Sequence, residues 1–143
     1  MLQLRCRDWL EMKFKIGADF KEIKEVSRKI LQCLNKRPLS EAFYFDVKLA
    51  CEEAMVNAIK YGSKSGRDKT VNINCDITEQ AVVITVEDEG RGFDYRNLPD
   101  PTRDENLIKA GGRGLFLIRN MMDKVEFNSK GNKVTMTKLF PKA

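Results

Sequence analysis

The sequence predicts an α/β fold, an α+β two-layer sandwich in which helices cover one face of a sheet built from antiparallel hairpins. Apolar and polar residues alternate over residues 10–16, as in a half-buried strand. Apolar residues recur at helical spacing over residues 20–34. Two further pairs of strands are predicted over residues 70–87 and 124–140. The chain of 143 residues has the length of one domain, which we expect to cover residues 1–143.

Two capping signals define the predicted helices of the first half. Asp19 is followed three residues later by Glu22, the spacing of a capping box, and this helix should end before Pro38. Ser40 predicts a second N-cap, and the long helix that follows should run to about Tyr61.

The second half predicts hairpins around an irregular segment. Strands are expected over residues 70–77 and 81–87. Residues 88–112 lack periodicity, and such a long irregular segment inside a compact domain is usually functional or mobile. A short helix and two closing strands complete the prediction, over residues 114–122, 124–128 and 133–140.

Composition excludes several classes of function. The chain has no histidine, which removes Ser-His-Asp catalysis, histidine-ligated zinc and a phosphohistidine on this chain. No apolar run approaches the roughly 20 residues that cross a bilayer, and no basic run is interleaved with aromatic residues, so we expect neither a membrane nor a nucleic-acid partner. The four cysteines are scattered, which favours reduced thiols and a cytoplasmic location.

The second long helix carries the first candidate site. Glu53 and Asn57 are four residues apart and therefore share a face, with Lys60 one turn further. A carboxylate can accept the proton of an attacking hydroxyl, and a carboxamide oxygen is a good ligand for Mg²⁺. Lys60 is a candidate phosphate contact, because helical spacing places it one turn beyond Asn57. The alternative is an exposed polar face.

A second candidate site begins where a predicted strand ends. Asp88 is followed by Gly90 and Gly92 and then by Phe93. The glycines would let a planar ring approach the backbone while Asp88 accepts a hydrogen bond from it, which suits an adenine amino group. The alternative is a glycine-rich turn with an acidic cluster.

A third candidate site opens the short helix. Its residues are Gly111, Gly112, Arg113, Gly114 and Leu115. Glycines that run into a helix N-terminus present free N–H groups and the positive end of the helix dipole to an anion. No G-K-[ST] sequence closes the segment, so it is not a P-loop.

In chain order, the three sites read E-x-x-x-N, D-x-G-x-G-F and G-G-x-G-L, and this order resembles the N, G1 and G2 boxes of the GHKL ATPase superfamily. That resemblance implies the Bergerat fold, with a mixed, mostly antiparallel sheet and helices on one face. The short length and the lack of histidine favour one branch, the anti-sigma-factor serine/threonine-protein kinases of bacterial partner switching. Residues 53–58, 88–93, 111–118 and 121–125 carry the resemblance to it.

The resemblance implies a role for each site. Glu53 would be the general base, Asn57 would hold Mg²⁺, and Asp88 would bind the adenine amino group. The further ATP contacts implied are Gly90, Gly92, Phe93, Gly111, Gly112, Arg113, Gly114 and Leu115. Asn132 stands where the family usually has a small threonine beside the adenine, and Tyr61 where it often has histidine. We therefore expect altered nucleotide contact at Asn132.

The implied function is an ATP- and Mg²⁺-dependent kinase that sequesters a sigma factor and phosphorylates a STAS-type anti-anti-sigma protein. A homodimer in the cytoplasm is expected from the same resemblance. One alternative stays open, a nucleotide-binding regulatory module without kinase activity that acts on another signalling partner. A second is a structural domain without a ligand, whose glycines serve only turns.

Overall fold

A computed structural model describes residues 2–6, 9–17, 19–61, 70–88, 112–129 and 131–142. These stretches contain three helices and six strands. The helices are α1 (Phe20–Leu34), α2 (Glu41–Tyr61) and α3 (Gly112–Met121). The strands are β1 (Leu2–Cys6), β2 (Trp9–Ile16), β3 (Val71–Ile77), β4 (Ala81–Asp88), β5 (Lys124–Phe127) and β6 (Lys133–Leu139).

The six strands form one sheet in the order β1-β2-β3-β4-β6-β5, and every pairing between these described strands is antiparallel. Met12, Cys75, Ile84 and Met136 pair in a row across four strands, and all four are buried. Their side chains share one face because alternate residues of a strand point to the same side. The helices cover that face, which confirms the predicted two-layer fold.

The helix layer is centred on α2. This helix packs against β3 and β4, and both α1 and α3 pack against it. Val47, Ala50 and Met55 have no exposed surface, so one side of α2 forms the middle of the core. No helix within the described stretches is both long and apolar enough to cross a membrane.

Both predicted N-caps are confirmed. The Asp19 carboxylate accepts the backbone N–H two residues on, at 2.9 Å. Glu22 also reaches back, but its Oε1 accepts the N–H of Gly17, at 3.2 Å, instead of that of the N-cap residue. Ser40 Oγ accepts the N–H of Phe43 at 3.1 Å, so it caps α2 as expected.

The prediction missed β1 and misplaced the start of α3. β1 lies at the edge of the sheet, where β2 is its one partner among the described strands, with a register shift between Leu4 and Cys6. The strand is five residues long, and only the alternation of Leu2, Leu4 and Cys6 could have indicated it. α3 begins at Gly112 and not at Gly114. The prediction rested on apolar periodicity, which gives no signal at the glycines of the first helical turn.

Candidate functional site

One side of α2 is lined by small residues that let α3 come close. Ala50, Ala54 and Ala58 are all buried, and α3 packs on this helix. Without bulky side chains between them, the first turn of α3 reaches the polar residues of α2. The small alanine side chains therefore leave room beside Glu53 and Asn57, and α3 takes part of it.

Gly114 of α3 stands close to two polar side chains of α2. A Cβ atom at this position would lie 3.0 Å from Asn57 Nδ2, 3.1 Å from Glu53 Oε2 and 3.2 Å from Asn57 Oδ1. Glycine leaves room there, because a larger side chain would press on both polar groups. The structure thus brings the first and third predicted sites into direct contact.

A cleft opens beside this contact, between α2, α3 and the ends of β4 and β6. Its empty volume is about 420 Å³, counting the open solvent at its mouth. The described residues that line it are Ala54, Asn57, Ala58, Val86, Asp88, Leu115, Ile118, Phe127, Gly131, Asn132, Lys133 and Val134. Most of this lining is apolar, and the few polar side chains are those of Asn57, Asp88, Asn132 and Lys133, the pattern expected of a ligand pocket.

Asp88 is the buried acid of the cleft. It is the last residue of β4 and is 8% exposed. On one side it pairs with Val71 of β3, and on the other its N–H donates to the carbonyl of Asn132, at 2.9 Å. The carboxylate predicted to recognise adenine therefore stands at a fixed strand end, on the cleft wall.

Asn132 also lines the cleft, but its side chain is bonded within the protein. Its Nδ2 donates to the Asp88 carbonyl at 2.8 Å, and its Oδ1 accepts from Asn128 Nδ2 at 2.7 Å. Asn132 is predicted from the sequence to contact the nucleotide, whereas no role is predicted for Asn128. An Asn at a strand end, three residues before Gly131, is a signal of a side-chain-capped turn that could have revealed it.

The other predicted site residues have different placements. Leu115 is buried in the cleft wall, while Lys60 is exposed near the end of α2 and does not line the cleft. Gly112 and Arg113 are the first residues of α3. Four of the predicted contacts lie outside the described residues, namely Gly90, Gly92, Phe93 and Gly111.

The described residues fit a phosphate-bearing ligand and a hard cation. The first N–H groups of an α-helix have no partner within the helix, and the first turn of α3 stands beside Asn57. The described residues hold no group of three or more acidic, cysteine or histidine side chains that could bind a metal by themselves. Mg²⁺ at nucleotides usually combines one or two protein ligands with phosphates, and Asn57 could supply such a ligand here.

The buried cysteines belong to the core and not to this chemistry. Burial, and then the nearby charge of Glu52, raises the pKa of the Cys51 thiol to about 12. Burial likewise raises the pKa of Cys75 well above its usual value. Both thiols stay protonated at neutral pH, so neither can act as a nucleophile.

The family model for the histidine kinase-like ATPase domain matches residues 16–138. The chain belongs to this family. The match runs from the end of β2 to β6 and so includes Glu53, Asn57, Asp88 and Gly114.

Within the family, the chain is similar to serine-protein kinases RsbW of Staphylococcus aureus, including those of strains JH9 and Newman. Each is 35% identical over an alignment of 105 residues, and the match covers 68% of this chain and 66% of the relative. The chain thus spans slightly less than two thirds of the length of the curated relatives it matches. This similarity and the family match confirm the resemblance drawn from the three motifs.

The fold has a counterpart among solved structures. The histidine kinase domain of a blue-light activated histidine kinase from Erythrobacter litoralis superimposes with a TM-score of 0.52. The two chains are 15% identical, and the match covers 86% of this chain and 61% of the other. The likeness supports the GHKL type of fold.

Proposed function

We propose that this protein is an ATP-dependent serine/threonine-protein kinase and anti-sigma factor, which sequesters a sigma factor and phosphorylates a STAS-type anti-anti-sigma protein. The observation that carries the proposal is the closeness of Gly114 to both Glu53 and Asn57, since a Cβ atom there would lie 3.1 Å from Glu53 Oε2 and 3.0 Å from Asn57 Nδ2. It places a candidate base and a candidate magnesium ligand at the helix start suited to phosphates. The printed name of the relatives, serine-protein kinase, supports the same activity.

Nucleotide binding is assigned to the cleft. ATP, when bound, supplies the phosphoryl group, and Mg²⁺ neutralises part of the phosphate charge. Asp88 would accept a hydrogen bond from the adenine amino group, and apolar neighbours such as Val86 and Ile118 would pack against the base. Asn57 would hold the Mg²⁺ ion, and the N–H groups of Gly112 and Gly114 would face the phosphates.

Glu53 is assigned the role of general base. Its carboxylate would take the proton of the serine or threonine hydroxyl as the oxygen bonds to phosphorus and the bond to the leaving ADP breaks. Phosphoryl transfer depends mainly on positioning and on neutralisation of charge. A site built from a carboxylate, a carboxamide and backbone N–H groups is therefore sufficient without histidine or cysteine.

The partners are proposed from the family resemblance. The sigma factor, the STAS protein, the homodimer and the cytoplasmic location all follow from similarity to the anti-sigma kinases. Arg113, Gly111, Gly90, Gly92 and Phe93 stay predicted nucleotide contacts. Lys60 is proposed only as an outer phosphate contact, since it is exposed and stands apart from the cleft lining.

The test is transfer of labelled phosphate from ATP and Mg²⁺ to each STAS-domain protein of the source organism. We expect one of them to be labelled on serine or threonine, and its alanine variant at that position to stay unlabelled. ATP binding without any labelling would contradict the kinase and favour the nucleotide-binding module without kinase activity.

A further inference from the structure

We infer that Asn128 is a positioning residue of the adenine site, which acts on Asp88 through the side chain of Asn132. The inference rests on the proposed function, in which Asp88 recognises the adenine amino group. Asn128 follows β5, lies outside the three motifs and is absent from the cleft lining. Any effect it has on the nucleotide must therefore pass through the residues that it holds.

The carboxamide oxygen of Asn128 is used to close the turn between β5 and β6. Its Oδ1 accepts three backbone N–H groups, from Gly131 at 2.8 Å, Asn132 at 3.1 Å and Lys133 at 3.2 Å. Gly131 has a φ of 79°, a backbone conformation that favours glycine and lets the chain reverse here. These bonds fix the plane of the Asn128 side chain, and with it the direction of the Nδ2 group.

The fixed Nδ2 group then orients the next side chain. It donates to Asn132 Oδ1 at 2.7 Å. A carboxamide has one accepting end and one donating end, so this bond turns the Nδ2 of Asn132 the other way. That Nδ2 donates to the carbonyl of Asp88 at 2.8 Å. The two side chains form a relay, Asn128 to Asn132 to Asp88.

The relay holds the peptide group that follows Asp88. The Asp88 N–H already donates to the Asn132 carbonyl at 2.9 Å, and the relay adds a bond to the carbonyl of the same residue. Strand ends fray unless their backbone groups are bonded. With both groups held by one neighbour, the Asp88 carboxylate keeps its direction, and a hydrogen bond weakens steeply when it is misaligned.

Asn128→Asp breaks the relay and keeps the hydrogen bonds that close the turn. The variant keeps an oxygen for the three N–H groups but has no donor for Asn132. The readout is the ratio of dissociation constants for purine riboside triphosphate, which lacks the 6-amino group, and ATP, measured with Mg²⁺ on the full chain. We expect the wild type to prefer ATP and the variant to lose about threefold to tenfold of that preference, the effect of one weakened hydrogen bond.

Asn132→Ala is the companion variant, since it removes the relay and leaves the backbone N–H groups bonded to Asn128 Oδ1. The double variant should be no less selective than Asn132→Ala alone, because both changes break one chain of bonds. If Asn128→Asp does not fold, an unchanged ratio in Asn132→Ala still overturns the relay.

The outcomes separate the two proposals. A wild type that does not bind ATP, or does not prefer it over the analogue, contradicts the proposed nucleotide site. A wild type that prefers ATP, with an unchanged ratio in the variants, overturns the relay alone. A loss of affinity for both nucleotides by the same factor indicates a purely structural role for Asn128, and this result also overturns the relay.

Discussion

Glu53→Gln is expected to lower phosphoryl transfer to the STAS protein by about 10²–10⁴-fold, the usual contribution of a positioned general base. The substitution keeps the shape of the side chain and removes its ability to take a proton. Binding of ATP should stay near the wild-type value, because the adenine end of the cleft is formed by Asp88 and its neighbours. Single-turnover transfer and calorimetric titration with ATP measure the two effects separately.

Glu52→Gln provides the matched control. Glu52 is the adjacent acid on α2, but its carboxylate accepts from Ser27 Oγ at 2.7 Å and from Lys24 Nζ at 3.2 Å, on the side facing α1. We expect transfer near the wild-type rate in this variant. Equal losses in both variants, or wild-type transfer by Glu53→Gln, would show that Glu53 is not the base.

Substitution at Gly114 is expected to impair transfer without weakening the fold. An Ala side chain would press on Asn57 and Glu53 at 3.0 and 3.1 Å, so these side chains must shift by a few tenths of an ångström. A displacement of about 1 Å can lower a rate by about 100-fold. We therefore expect about a tenfold loss for Gly114→Ala and a larger one for Gly114→Val, measured as transfer rates.

The free energy of unfolding should stay near the wild-type value for Gly114→Ala. Alanine is about 0.8–1.0 kcal/mol more favourable than glycine inside a helix, and this gain offsets the strain of the contact. Asn120→Ala is the control, because it raises helix propensity on an exposed position of α3. A Gly114→Ala protein with wild-type transfer would mean that the Glu53 and Asn57 geometry does not matter. Thermal unfolding of the wild type, Gly114→Ala and Asn120→Ala measures the changes in stability.

Periodicity and caps predicted most of the fold. The row of apolar residues in β2, β3, β4 and β6 follows from strict alternation, and Asp19 and Ser40 mark helix starts by local chemistry. The edge strand β1 was not predicted, because it is short and has a neighbour on one side among the described strands.

The candidate site was predicted as three separate motifs. Glu53 and Asn57 follow from helical spacing, and Asp88 from its place at a strand end. Spacing along one helix carries no information about another element, so the closeness of Gly114 to Asn57 and Glu53 required the tertiary structure. Asn128 has a local turn signal, but its link to the site depends on the bond from Asn132 to Asp88, which joins distant parts of the chain and could not be predicted from spacing.

Titration of the wild type and Asp88→Asn with ATP and Mg²⁺ tests the central claim, that the cleft at the end of β4 binds the adenine of ATP. Loss of a hydrogen bond to a charged group corresponds to about 1.5–3 kcal/mol, so Asp88→Asn should bind ATP at least about tenfold more weakly. Asp76→Asn is the control, because Asp76 bonds Trp9 Nε1 and Asn74 Nδ2 and is not in the cleft. Equal ATP affinity in the wild type and Asp88→Asn, or no binding to either, would contradict the account.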